Sequence, residues 1–145
     1  MSTNFVEGWN ELAEFINTTA IEKGWWQAPE DALAISQWLH AEGNCPNAEV
    51  REQLIAKLNN LSKRNEGEIL ALIHSEISEA LEGLREGNPK SKKLPFFTTV
   101  EEELADAMIR IADYAKMYDL RVAEAMVAKV EYNTGRPFKH GGKAF

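Results

Sequence analysis

Two short pairs of carboxylates carry the chemistry that this sequence offers. Glu76 and Glu79 lie in the stretch ALIHSEISEALEGLREG, and Glu103 and Asp106 in EEELADAMIR. A spacing of three places both members of a pair on one side of a helix. On a wheel of 100° per residue, Glu76 falls roughly 65° from the centre of the stripe made by Leu72, Ile73, Ile77, Leu81 and Leu84, with Glu79 about 125° away at its edge. Glu82 lies nearly opposite and needs only water. Glu103 and Asp106 border a second apolar stripe (Val100, Leu104, Ala107, Ile111), and Arg110 and Asp113 extend their ridge at steps of four and three. A carboxylate buried without a partner costs several kcal/mol or shifts its pKa until it is neutral. Antiparallel packing of the two helices brings the acidic ridges together, and four facing carboxylates repel unless a positive charge sits between them. Hard divalent cations suit such an oxygen-only set, magnesium above all and manganese after it. The alternative is a set of ordinary salt bridges, with Arg110 and Lys116 as partners.

Other site chemistries find less support. Di-iron helical bundles use Glu-x-x-His, and no glutamate here has a histidine three residues later. His40, His74 and His140 are scattered and read as structural or surface residues. There is no P-loop, no Gly-x-Ser-x-Gly elbow and no Cys-x-x-Cys. The single cysteine, Cys45, cannot form an internal disulfide, which fits a reducing compartment. A net charge of −7 argues against broad binding to nucleic acid or anionic membrane. No apolar run approaches the roughly 20 residues needed to span a bilayer, and the N-terminus lacks the features of a signal peptide. The expectation is a cytoplasmic protein with neither nucleic-acid nor membrane partners. Charge is nevertheless uneven: Lys129, Arg136, Lys139 and Lys143 gather near the C-terminus against Glu131.

The elements that must position these residues are helices. At 145 residues, 44% apolar and 27% charged, the chain suits one soluble domain spanning 1–145, with a basic tail over 134–145. Phe5, Trp9, Leu12, Ile16 and Ala20 recur at helical steps, predicting a first helix from about Asn4 to Lys23, stopped by Gly24. Pro29 opens a second helix that ends near Gly43, and residues 48–63 form a third. Asn65 caps the helix carrying Glu76. Gly87-Asn88-Pro89 ends it, and a basic linker, NPKSKKLPFF, follows. Thr99 with Glu102 reads as a capping box for the next helix, whose buried stripe is Leu104, Ala107, Met108, Ile111 and Ala115. Asp119 caps a last helix that ends by Gly135. The pattern predicts an all-α fold, a helical bundle.

The stretches ALIHSEISEALEGLREG, EEELADAMIRIADYA and KVEYNTGRPFKHGGK together resemble the MazG-like all-α nucleoside triphosphate pyrophosphohydrolases. E-x-x-E, then E-x-x-D, then K-x-x-x-N-x-x-R occur in the family's order. The resemblance covers residues 64–143 and the Lys23-Gly24-Trp25-Trp26 junction, while residues 27–63 do not align. It implies a four-helix core completed by homo-oligomerisation, as a dimer or tetramer. It also implies magnesium-dependent hydrolysis of a (deoxy)nucleoside triphosphate to the monophosphate and pyrophosphate. By position, Glu76, Glu79, Glu103 and Asp106 match the metal ligands, and Lys129, Asn133 and Arg136 match phosphate or nucleotide contacts. Water would attack the α-phosphorus in line, with Glu76 or Glu79 orienting or deprotonating it. Of the two adjacent tryptophans, one is expected in the core and the other against the base. Lys139, His140 and Lys143 are candidates to close over the phosphates. Two competing readings are a non-catalytic helical interaction module and a carboxylate metal-binding bundle.

Overall fold

The computed structural model describes residues 2–27, 30–41, 47–61 and 64–136. Among these, all regular structure is helical: α1 (Ser2–Glu22), α2 (Glu30–His40), α3 (Ala48–Leu61), α4 (Glu66–Arg85), α5 (Thr99–Met117) and α6 (Val122–Thr134). The predicted opening of α2 at Pro29, its end near Gly43, and the tail beyond Arg136 fall outside the described residues. Helix α5 is the hub: α4 and α1 both pack on it, and α6 packs on α1. Helices α2 and α3 pack on each other. No helix is long and apolar enough to cross a membrane, among the described residues.

Three helix ends close in the same way. After α1, the Gly24 N–H bonds to Ile21 O and the Trp25 N–H to Ala20 O, with Gly24 at φ 81°. After α4, Gly87 (φ 83°) bonds to Leu84 O and Asn88 to Gly83 O. These paired 5→2 and 6→1 bonds satisfy carbonyls that a helix end leaves orphaned. Helix α5 closes likewise, but with Asp119 as the left-handed residue (φ 52°) and Leu120 bonding to Ala115 O. Asp119 therefore ends α5 instead of capping α6, contrary to expectation. The N-cap of α6 is Arg121, with no side-chain hydrogen bond.

The capping boxes also sort themselves out. Asn65 caps α4, its side chain accepting from the Gly67 N–H at 2.8 Å. The box on α5 is one residue earlier than the sequence suggests: Thr98 is the N-cap and Glu101 its reciprocal partner. That shift frees Glu102, which is buried instead against the connection from α4. This connection is ordered. An antiparallel bridge joins Lys90 to Thr98, and the Ser91 hydroxyl accepts from the Lys93 and Leu94 N–H groups.

The buried faces differ from the expected stripes. On α4 the buried residues are Ile69, Glu76, Ala80 and Gly83, while Ile77, Leu81 and Leu84 remain exposed. On α5 they include Glu103, Ala107, Ala112 and Ala115, with Leu104 and Met108 exposed. Small residues let the helix backbones approach closely, so the contact forms along the alanine and glycine ridge. Glu76 lies on the buried face, as its place inside the stripe predicts, although that face is built from small residues instead of the leucines.

Candidate metal centre and adjoining cavity

The close approach of α4 and α5 brings three of the four predicted carboxylates together. Glu76, Glu103 and Asp106 each offer an oxygen, and these oxygens lie within 4.8 Å of one another. Glu76 and Glu103 are buried and Asp106 half-buried. Glu79 is exposed and stands outside this trio, yet its charge reaches Glu103.

Glu103 is the anomalous member. Only 8% of it is exposed, and its carboxylate has no hydrogen-bond or ion-pair partner among the described residues. Burial first, then the charges of Glu79, Glu102, Glu76 and Asp106, hold its pKa above the usual glutamate range. A buried acid surrounded by acids is the arrangement that an isolated protein avoids and a bound cation relieves.

Two of its neighbours, Glu76 and Glu102, are matched to protein cations, whereas Asp106 and Glu79 have no hydrogen-bond or ion-pair partner among the described residues. Arg110 donates from Nε to Glu76 Oε1 at 2.6 Å, the ion pair that the salt-bridge alternative anticipates. Lys116, the other cation named in that alternative, pairs with Glu14 on α1 instead. Lys93 meets Glu102 at 3.0 Å, and the Ser91 hydroxyl also bonds to Glu102. These contacts, with Ser91 foremost, hold the Glu102 pKa below its ordinary range. Glu82 pairs only with Arg85 at the surface, as its position on the wheel predicts.

A cavity of about 390 Å³ opens beside the trio and shares Asp106 with it. Its apolar walls come from α1 (Phe15, Ile16, Ala20), α4 (Ile69, Leu72) and α5 (Ile109). Three cations, Lys23, Arg64 and Arg110, line it together with Asp113 and the exposed ring of Trp25. The tight closure after α1 places Trp25 and Trp26 on different duties. Trp26 is half-buried: its indole N–H donates to Asp113 Oδ1 at 2.9 Å and Oδ2 at 3.0 Å, and its ring meets Tyr118 edge-on. Trp25 belongs to the cavity, with the Arg110 guanidinium carbon 5.8 Å from its ring centroid.

The predicted cations of α6 are not brought to this place. Lys129, Asn133 and Arg136 are exposed and do not line the cavity, and Lys129 and Arg136 both lie over the Tyr132 ring. Lys139, His140 and Lys143 fall outside the described residues. Sequence reasoning passed over Asn17, Arg64 and the cavity role of Arg110 and Asp113. Two of these had a signal. Asn17 is a polar residue on the α1 face of Ala13, Ile16 and Ala20, and Arg110 stands one turn after Asp106 on the acidic ridge.

Comparison of the chain with protein-family models, with curated proteins and with solved structures returns no match in any of the three.

Proposed function

We propose that this chain is a magnesium-dependent nucleoside triphosphate pyrophosphohydrolase of the MazG-like kind, releasing a nucleoside monophosphate and pyrophosphate. The observation that carries the reading is Glu103, a residue only 8% exposed whose carboxylate has no protein partner among the described residues and faces Glu76 and Asp106. The donor set fits magnesium or manganese: it is all oxygen, and its 4.8 Å spread is somewhat wider than the roughly 4.2 Å across such an ion, so modest closure suffices. Glu76, Glu103 and Asp106 would hold the ion, with Glu79 at the rim. Bound there, it supplies charge neutralisation for the phosphates and Lewis acidity toward their oxygens.

The chain's own residues account for the rest. Trp25 offers a ring for the base, and the apolar walls of α1 and α4 keep water from that part of the ligand. Lys23, Arg64 and Arg110 offset phosphate charge beside an acidic surface that would otherwise repel it. Glu79, whose charge reaches Glu103, or Glu76 would orient or accept a proton from the attacking water.

The same reading assigns the exposed apolar residues of α4 and α5 (Leu70, Ile77, Leu81, Leu84, Leu104, Met108) to a homo-oligomer interface that completes a helical bundle. Light scattering would show a single dimeric or tetrameric species.

The deciding assay measures pyrophosphate release from common and damaged nucleoside triphosphates with magnesium present. Turnover that disappears on chelation, and in folded Glu103→Gln or Asp106→Asn variants, supports the proposal. Failure with every nucleotide overturns it. The Arg110–Glu76 ion pair favours a second reading, a non-catalytic helical module whose acids are satisfied by protein cations. That reading predicts no turnover and no divalent-ion binding.

A further inference from the structure

Arg110 touches both halves of the site. It stands one turn after Asp106 on α5, its Nε–H bonds to Glu76 over 2.6 Å, and it lines the cavity beneath the Trp25 ring. Only Nε is engaged: the two terminal amino groups have no hydrogen-bond partner among the described residues. Guanidinium presents five donors in a planar fork that matches phosphate oxygens, so most of its capacity is unspent. At 30% exposure the side chain is reachable from the cavity.

Glu76 is at the same time the ligand that a cation in the trio must recruit. A guanidinium and a divalent ion compete for the same carboxylate lone pairs, and their positive charges repel at such short range. Arg110 holds Oε1 alone, so an ion that takes this oxygen displaces the guanidinium, and one that takes Oε2 still repels it.

We propose that Arg110 is a polyphosphate-binding residue held in reserve, parked on Glu76 in the metal-free protein and turned toward the cavity when a divalent ion claims Glu76. This rests on the reading of Glu76, Glu103 and Asp106 as a metal centre. It makes metal and polyphosphate binding cooperative: the ion releases the arginine, and the arginine then takes phosphate oxygens. It also explains how an acidic site admits an anionic ligand only after the metal has entered.

The test uses manganese alone and then manganese with inorganic tripolyphosphate, followed by calorimetry on the full chain. Removing the competing charge in Arg110→Met tightens manganese alone by about threefold or more. The same variant weakens tripolyphosphate at saturating manganese by about tenfold or more, through lost charge-assisted hydrogen bonds. Arg110→Lys, which keeps a cation without the fork, recovers part of the tripolyphosphate affinity. An Arg110→Met protein that binds manganese more weakly, or tripolyphosphate as well as the unmodified chain, overturns the proposal.

If Arg110→Met does not fold, the Arg110 Nε–H resonance of the unmodified protein decides. It moves on manganese-free magnesium addition and again on tripolyphosphate, whereas an unchanged resonance at saturating magnesium overturns the handover. Absence of any divalent-ion binding, or binding unaltered by Glu103→Gln, removes the metal centre itself and this inference with it. Wrong-signed effects of Arg110→Met with binding that Glu103→Gln abolishes remove only the role of Arg110.

Discussion

Asn17 on α1 donates its side-chain amide to Asp113 on α5 across 2.7 Å, joining residues 96 apart in the chain. Asp113 also accepts the Trp26 indole N–H, so one carboxylate fastens α1, the turn after it and α5 around the cavity. Asn17→Ala is expected to cost about 1–3 kcal/mol in denaturant unfolding, because it strips a half-buried charged acceptor of one of its donors. Trp26→Phe removes the other donor at similar cost. Since both serve one acceptor, the double variant departs from the sum of the singles, by about 0.5 kcal/mol or more.

Trp25 and Trp26 separate by function. Trp25 is 54% exposed at the cavity, so Trp25→Ala changes stability little and raises the nucleotide KM about tenfold, as loss of a stacking surface does. Trp26→Ala instead lowers the melting temperature and leaves a partly vacated contact with Tyr118. A folded Trp25→Ala protein with unchanged KM would take that ring out of the ligand site.

Glu101 and Glu103, two residues apart on α5, respond to pH with opposite signs. Thr98 backbone and side-chain hydrogen bonds hold the Glu101 pKa below its ordinary value. Its contribution to stability is complete above the ordinary glutamate range and is lost as pH falls through the lowered value. Glu103, raised by burial and neighbouring acids, contributes stability that is complete below the ordinary range and lost as pH rises through the raised value. In metal-free protein, melting temperature therefore declines on the basic side of that transition, and Glu103→Gln flattens the decline. Magnesium raises the melting temperature of the unmodified chain but not of Glu103→Gln.

Gly83 on α4 meets Thr99 at the start of α5: a Cβ there would lie 3.0 Å from Thr99 Cγ2 and 3.2 Å from its Cβ. The Thr99 Cβ is not a flexible tip that can turn away, so the helix start must move. Overpacking of this kind costs about 1–3 kcal/mol, which exceeds the roughly 1 kcal/mol that alanine gains over glycine in a helix. Gly83→Ala is expected to lower the denaturant midpoint. In a Thr99→Ala background the Cγ2 contact is gone but the 3.2 Å approach to the residue 99 Cβ stays, so the cost falls without vanishing.

Much of the helical layout was legible because periodicity and end signals are local. Gly24 and Gly87 end α1 and α4 where their left-handed backbone is needed, and Asn65 caps α4 as its type suggests. Thr98 and Thr99 are adjacent and of one type, so local preference does not separate them, and Asp119 suits a left-handed position as well as a cap. Thr98 wins because the bridge to Lys90 fixes the chain there, and Asp119 is consumed in closing α5.

The sequence by itself determined the all-helical character, the acidic ridges of α4 and α5 and the pairing of Glu103 with Asp106 on one face, since these follow from 3.6-residue periodicity. Only the tertiary structure decided which ridge each helix buries. Apolar content pointed to the leucine and isoleucine stripes, but close approach of two helices needs small side chains, and Ala80, Gly83 and Ala107 supply them. That rotation takes Glu76 into the contact, gives it Arg110 as partner and leaves Glu103 without one. Lys129 and Asn133 on α6, with Arg136 just past its end, do not line the cavity, although α6 packs on α1 and α1 does. The pairing of distant charges depends on which backbones touch, and no local pattern encodes that.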